Sequence, residues 1–127
     1  MIWIDSFLAI AMHELALAEG GGAEGLRDIG LLESALARPR QLLAYSDSKP
    51  AIPILAAAYA WGLIRDHPFV DGNKRTAFLV STAFCQANGY RFGAPEGEPA
   101  VIFQAAAAGE IEEAGLAMWF GRHSTGG

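Results

Sequence analysis

The sequence predicts a single all-α domain of about six helices. Apolar residues recur at helical spacing along nearly the whole chain, and the pattern breaks at Gly, Pro, Asp or Asn, which commonly begin or end helices. The chain has 127 residues, 52% of them hydrophobic, which is enough for one buried core and too short to predict two domains. We therefore expect one domain over residues 1–122 and a disordered tail over residues 123–127.

The first two helices are each predicted to begin at an aspartate. Asp5 suits the N-cap of the first helix, and the glycine-rich stretch that starts at Glu19 ends it. Asp28 suits the N-cap of the second helix, which Pro39 is expected to stop shortly after Arg38. The expected buried face of the first helix consists of Leu8, Ala11, Met12 and Leu15.

The third helix is predicted to be the centre of the domain. Residues 42–53 are rich in turn formers and are expected to form an exposed excursion before it. Residues 53–66 are apolar on almost every face, as in a helix that is buried all round. Pro68 disfavours helical geometry at His67, so the helix is expected to end there.

Three elements remain in the second half of the chain. A fourth helix is predicted over residues 74–88, with Asn73 as its N-cap and Gly89 in a left-handed conformation beyond its end. A short extended piece follows at Tyr90–Phe92. The last two helices are expected to have Pro99 in the first turn and Gly109 past the end of one, and to cover residues 111–122 in the other.

Charge and composition restrict the function. The net charge is −5 without any basic run, which disfavours a protein that binds nucleic acid by neutralising phosphates. The first residues lack the pattern of a signal peptide, and the longest apolar stretches are interrupted before they reach a membrane-spanning length. The single cysteine, Cys85, has no partner for an internal disulfide. We expect a cytoplasmic protein that binds neither membrane nor nucleic acid.

The stretch "RDHPFVDGNKRTAF", residues 65–78, is the candidate site. Lys74 and Arg75 stand in the first turn of a helix, where the helix dipole disfavours cations, so we expect an anion to bind there. Gly72 allows that anion to approach the unpaired backbone N–H groups. Arg75 can donate two parallel hydrogen bonds and Lys74 adds a point charge, a combination that suits a polyphosphate.

Two further residues of this stretch suggest a reaction. Asp71 lies beside the expected phosphates, where a carboxylate is the usual protein ligand of a magnesium ion that keeps most of its waters. His67 supplies a base whose unperturbed pKa is about 6.5, so it can take a proton from an attacking hydroxyl at neutral pH. Outside the stretch, His13 is interpreted as an ordinary helical residue.

The segment "HPFVDGNKRTA" resembles the signature of the Fic superfamily, and in detail that of its death-on-curing (Doc) branch, the toxins of toxin–antitoxin modules. Three other segments are similar to Doc-type sequence: "GLRDIGLLESALARP", "ANGYRF" and "AAGEIEE". The resemblance implies an all-helical Fic/Doc-type fold in which the loop joins two central helices and binds ATP with magnesium. It implies that Phe69 anchors the loop in the core.

The resemblance also implies a role for each residue of the loop. It makes His67 the base, Asp71 the metal ligand and Asn73 a third catalytic residue. Tyr45 and residues 42–53 are expected to correspond to the flap that positions the target backbone in this superfamily. The residues that it assigns to nucleotide and phosphate binding are Arg65, Gly72, Asn73, Lys74 and Arg75.

One difference within the superfamily indicates the reaction. Typical AMP-transferring members have Gly at the position of Lys74 and a second Arg at the position of Phe78, whereas Doc-type members have the "NKRTA" form. Doc-type members resemble protein kinases in outcome, and the substrate associated with them is elongation factor Tu. The expected function is therefore a type II toxin that transfers the γ-phosphate of ATP to a hydroxyl of a translation factor and so arrests translation.

Three alternatives remain open at this point. The first is transfer of a nucleotidyl group (AMP) to a protein hydroxyl, and the second is a non-catalytic module that binds an antitoxin. The third, a metal-dependent hydrolase, lacks the additional ligands that zinc requires. The regulatory segment of many Fic proteins is not found in the sequence, so we expect inhibition by a separate antitoxin that lays an amphipathic helix into an apolar groove.

Overall fold

The chain forms six α-helices and one two-stranded sheet over residues 1–126, which are the residues that the computed structural model describes. This architecture confirms the predicted all-α fold. The helices are α1 (Ser6–Gly20), α2 (Ile29–Tyr45), α3 (Ile52–Asp66), α4 (Asn73–Ala87), α5 (Glu98–Ala107) and α6 (Glu113–His123). The strands are β1 (Tyr90–Phe92) and β2 (Ser124–Gly126).

Helix α3 is the centre of the fold, as its apolar sequence predicts. It packs against α2, α4 and α6, and ten of its fifteen residues are buried. Gly62 brings α2 close: a Cβ atom at Gly62 would lie 3.1 Å from the carbonyl oxygen of Ala35. This close approach packs α3 tightly against α2, and the loop that follows α3 is therefore attached to the helix with the most buried residues.

Helix α2 continues past Pro39, contrary to the prediction, and ends only at Tyr45. Pro39 removes one helical hydrogen bond, which usually kinks or ends a helix. Leu42 and Leu43 lie beyond it and pack against the hydrophobic core, so burial of the last turn compensates for the lost hydrogen bond. The non-helical connection to α3 is therefore restricted to residues 46–51, rather than the predicted excursion over residues 42–53.

The buried face of α1 also differs from the prediction. Ala9, His13 and Ala16 are buried, whereas Leu8 and Leu15 are 39% and 50% exposed. Because α1 is apolar on nearly every face, hydrophobic periodicity does not identify the side that packs. The small side chains of Ala9 and Ala16 allow α1 to approach α4 closely, and larger apolar residues are left on the outside.

The predicted disordered tail is a strand over most of its length. Residues Ser124–Gly126 pair antiparallel with Tyr90–Phe92, the segment predicted to be extended, with Arg91 opposite Thr125. Backbone hydrogen bonding across this pair orders the chain after α6. Gly127, also part of the predicted tail, lies outside the described residues.

Within residues 1–126, no helix combines the length and the apolar character needed to cross a bilayer.

Candidate functional site

The loop between α3 and α4, residues 67–72, forms one wall of a cavity of about 690 Å³. The opposite wall is α5, which contributes Pro99, Phe103 and Gln104. All the residues that the sequence assigned to catalysis or to nucleotide binding line this cavity, except Arg65. The loop side is formed by His67, Asp71, Gly72, Asn73, Lys74 and Arg75.

His67 follows the last residue of α3 and has a left-handed backbone, with φ 51° and ψ 56°. Among residues 1–126 it is the only residue other than glycine with a positive φ. This conformation costs a residue with a Cβ about 1–2 kcal/mol, so the surroundings must hold it. Arg27 does so, because its Nε donates to the carbonyl of His67 at 2.8 Å and its Nη2 donates to the carbonyl of Asp66 at 2.9 Å.

The segment before α2 holds the loop through its backbone. The N–H groups of Arg27 and Asp28 donate to the carbonyl of Pro68 at 2.7 and 3.1 Å, and the N–H of Val70 donates to the carbonyl of Gly25 at 3.0 Å. Sequence reasoning gave Gly25 and Arg27 no role, although they lie in one of the segments that carry the family resemblance. Their contribution is to fix the loop that carries His67.

Asn73 is the first residue of α4, and the N-cap is Gly72 with φ 76°, so the predicted N-cap position of Asn73 is wrong by one residue. The buried Asn73 side chain clasps the loop: its Oδ1 accepts from the N–H of Phe69 and its Nδ2 donates to the carbonyl of Phe69, both at 2.9 Å. The two contacts use the amide oxygen and one of the two N–H donors of the amide nitrogen. Because the side chain is buried against Phe69, a phosphate contact from Asn73 would come from its backbone N–H at the start of α4.

Asp71 presents an exposed carboxylate at the rim of the cavity. Its Oδ1 accepts from the N–H of Gly72 at 2.8 Å and its Oδ2 accepts from the N–H of Ala23 at 3.1 Å. These two backbone donors hold the pKa of Asp71 below its ordinary value, with a smaller contribution from the charge of Arg75. Asp71 is thus ionised and oriented at neutral pH.

His13 is a second residue whose role the sequence analysis missed. It is buried, its Nε2 lies 2.8 Å from the carbonyl oxygen of Asp71, and its ring stacks on Phe69 with 3.8 Å between centroids and 6° between planes. Two small residues, Ala9 and Ala16, lie on the same face of α1. That combination of a histidine with two alanines at helical spacing is the sequence signal for a close helix contact.

The two cations that raised the question of an anion have different partners. The Nζ of Lys74 donates to Oε1 of Gln104 at 2.6 Å, so its ammonium group connects α4 to the α5 wall of the cavity. The Nη1 of Arg75 instead donates to the carbonyls of Ala16 and Gly21 at 2.7 and 3.3 Å, at the C-terminus of α1. A cation is favourable at that end of a helix, so Arg75 links α1 to α4.

Two residues named from the family resemblance lie outside the cavity wall. The guanidinium of Arg65 lies 5.1 Å from the ring centroid of Trp61, in a cation–π arrangement on α3. Tyr45, at the end of α2, is 87% exposed. Neither residue lines the cavity in this structure.

The chemistry of the side chains suits magnesium better than zinc. Over residues 1–126, no group of three or more His, Cys, Asp or Glu side chains could hold a metal ion, so this part of the chain lacks a zinc ligand set. A single exposed carboxylate is the kind of ligand that magnesium takes when it keeps several waters and binds phosphate oxygens. Asp71 fits that role.

The fold and the site define a helical domain with a polar, backbone-braced loop between its two central helices. The family described as the Fic/DOC family matches residues 3–85, and the chain belongs to that family. The matched region begins before α1 and ends within α4, so it includes the loop together with His13, Arg27 and Asn73, which hold it. The α5 wall of the cavity lies beyond the match.

Two relatives illustrate the similarity. The chain is 42% identical over 74 residues to "Toxin Doc" of Mycolicibacterium smegmatis, an alignment that covers 58% of this chain and 57% of that protein. It is 33% identical over 109 residues to "Protein kinase doc" of Escherichia phage P1, an alignment that covers 85% of this chain and 84% of that protein.

Proposed function

We propose that the protein is the toxin of a toxin–antitoxin module and transfers the γ-phosphate of ATP to a hydroxyl of a translation factor, with elongation factor Tu as the expected target. Family membership and the names of the two relatives, a toxin and a protein kinase, support the class of activity. Transfer of this group to the target would arrest translation.

The observation that carries the proposed reaction is the position of Lys74. Its ammonium group is held by Gln104 across the cavity, next to the N-terminus of α4 and the Gly72 turn. A helix N-terminus binds phosphate through its N–H groups, and a fixed cation beside it favours the most highly charged part of a nucleotide. In place of a glycine, Lys74 would also take up part of the space open to the inner phosphates. We infer that the γ-phosphate faces the attacking hydroxyl.

His67 is the base in this reaction. Its side chain is exposed at the rim of the cavity, where a target hydroxyl can approach. The imidazole takes the hydroxyl proton as the oxygen forms a bond to the γ-phosphorus, and the bond from that phosphorus to the bridging oxygen breaks to release ADP. Lys74 and the N–H groups of α4 stabilise the charge on the phosphate oxygens.

Magnesium would be held by Asp71. When bound, the ion neutralises charge on the phosphates of the nucleotide. Asp71 itself is kept ionised and oriented by Ala23 and Gly72, so the carboxylate needs no rearrangement to bind. Arg75 supports the site indirectly, because its observed hydrogen bonds join α4 to the end of α1.

The experiment that tests the reaction is mass spectrometry of purified elongation factor Tu after incubation with the protein and magnesium-ATP. We expect the addition of a phosphate by the wild-type protein and no addition by His67→Ala. Addition of a nucleotide monophosphate would overturn the proposal in favour of nucleotidyl transfer. Lys74→Gly should lose phosphoryl transfer, and Gln104→Leu should weaken it by releasing the ammonium group.

We further propose that an antitoxin inhibits the protein by laying an amphipathic helix on α1. The name of the Mycolicibacterium relative, a toxin, supports the existence of an antitoxin partner. The exposed face of α1 carries Phe7, Leu8 and Leu15, which are 84%, 39% and 50% exposed and could contact such a helix. Leu8→Asp or Leu15→Asp should weaken binding of the antitoxin and leave transfer unchanged. If both variants bound the antitoxin as tightly as the wild-type protein does, this face would be excluded.

A further inference from the structure

We infer that His13 is a positioning residue that orients the carboxylate of Asp71 through the peptide bond between Asp71 and Gly72. The inference rests on the proposed function only where it takes Asp71 to be the magnesium ligand. The contacts of His13 do not depend on a nucleotide. His13 comes from α1, separated from Asp71 by 58 residues along the chain. Its contribution is therefore a product of the fold and not of the loop sequence.

The hydrogen bond defines the state of the imidazole. A carbonyl oxygen only accepts hydrogen bonds, so Nε2 of His13 must carry the proton in its 2.8 Å contact with Asp71. The side chain is 4% exposed, so water has little access to compete for the carbonyl. Stacking on Phe69, at 3.8 Å and 6°, fixes the plane of the ring and hence the direction of the donor.

The peptide that follows Asp71 is held at both of its polar ends. His13 binds the carbonyl oxygen, and the N–H of Gly72 on the opposite side of the same planar unit donates to Oδ1 of Asp71 at 2.8 Å. Because C=O and N–H of a trans peptide point in opposite directions, fixing the carbonyl also fixes the donor that orients the carboxylate. His13 thus acts on Asp71 by way of Gly72.

Gly72 makes this peptide dependent on an external restraint. Its φ of 76° lies where glycine is mobile, and a Cβ atom at Gly72 would lie 3.7 Å from the ring of His13. Glycine on one side of a peptide lets that peptide rotate at little cost. The contact from His13 is the restraint that selects one orientation.

Two substitutions separate the hydrogen bond from the packing. His13→Phe keeps an aromatic ring against Phe69 and removes the donor, whereas His13→Gln keeps a donor nitrogen at the Nε2 position and removes the stack. Glu14→Gln, on the exposed side of the same helix, is the matched control. A residue that acts only by packing would be replaced better by Phe, and a positioning residue better by Gln.

The first measurement needs no ligand. Hydrogen exchange of the Gly72 amide should be about tenfold faster in His13→Phe, the scale of one lost hydrogen bond, and close to the wild-type rate in His13→Gln and Glu14→Gln. An equal rate in wild type and His13→Phe would overturn the inference. The wild-type protein gives an independent reading, because the Nε2 proton of His13 should appear in the imidazole proton spectrum and exchange slowly. Its absence would overturn the inference even if a variant failed to fold.

The second measurement connects this contact with the site. Calorimetric titration with magnesium and a non-hydrolysable ATP analogue should show binding about tenfold weaker in His13→Phe, with the affinity restored by His13→Gln. If His13→Phe bound the analogue with magnesium as tightly as the wild-type protein does, His13 would have no effect on the proposed metal ligand Asp71. No binding by wild type would instead contradict the proposed nucleotide site, while the exchange measurement would still decide the role of His13.

Discussion

The guanidinium of Arg75 occupies the space that a side chain at Gly20 would fill. A Cβ atom at Gly20 would lie 2.1 Å from Nη1 of Arg75, the nitrogen that donates to the carbonyls of Ala16 and Gly21. The link between α1 and α4 therefore depends on the absence of a side chain near the end of α1. This relationship can be tested by a double-mutant cycle.

Gly20→Ala should lower the free energy of unfolding by up to about 1 kcal/mol, because the exposed guanidinium of Arg75 can shift aside but loses its hydrogen bonds to the end of α1. In an Arg75→Ala background the same change should raise it by up to about 1 kcal/mol, since alanine favours helix over glycine. Gly121→Ala in α6 is the control, because nothing lies within 4 Å of its added Cβ. Urea denaturation measures the free energy of unfolding of each variant. If Gly20→Ala had the same effect with Arg75 and with Ala at position 75, the proposed conflict between a side chain at Gly20 and Arg75 would be contradicted.

Asn73→Ala should lower the free energy of unfolding by about 2–4 kcal/mol. The substitution leaves the buried N–H and carbonyl of Phe69 without their partners, and each unpaired buried group costs about 1–3 kcal/mol. Asn73→Asp keeps the acceptor and loses the donor, so it should be intermediate at pH 7. Chemical denaturation gives the ranking, and an Asn73→Ala variant as stable as wild type would rule out the clasp.

Variants of His67 should separate catalysis from backbone strain. His67→Ala and His67→Gly should both lose transfer by about two to four orders of magnitude. The glycine variant should nevertheless be more stable than the alanine variant by about 1 kcal/mol, because alanine retains the cost of the left-handed conformation. At Glu14 in α1 the order should reverse, with alanine the more stable. If alanine were the more stable residue at both positions, the backbone of His67 would not be strained.

The stability of the protein should depend on the ionisation of Asp71. Its pKa in the folded state is lowered by the N–H groups of Ala23 and Gly72, so its contribution is present above the unfolded pKa of about 3.9 and is lost as pH falls through the lower folded value. Asp71→Asn should therefore be less stable than wild type at pH 7, and the gap should narrow below about pH 4. Thermal unfolding at a series of pH values from neutral to acidic measures this difference in stability. A difference that stayed constant with pH would contradict the lowered pKa of Asp71.

Local sequence signals predicted several helix ends well. Asp5 and Asp28 cap α1 and α2 through hydrogen bonds from Leu8 and Leu31, and Gly89 is left-handed, with φ 88°. Each of these features depends on residues close together in the chain, which is why they can be recognised in the sequence.

Features that depend on distant partners were not predicted. The passage of α2 through Pro39 requires core contacts of the following turn, and the strand at Ser124–Gly126 requires pairing with β1. The same reason applies in the site, where the motif named the loop residues but not the way in which they are held. His13 lies in α1 and Arg27 lies just before α2, and no local sequence pattern connects either residue to the loop.

The origin of the restraints on the loop has a consequence for synthesis on the ribosome. His13, Ala23 and Arg27 are made before the loop that they hold, whereas the opposite cavity wall, with Gln104, is made after it. A nascent chain that has emerged only through α4 therefore contains the residues that hold the loop but lacks the α5 wall of the cavity. The α5 wall can therefore be added only after the residues that hold the loop have been made.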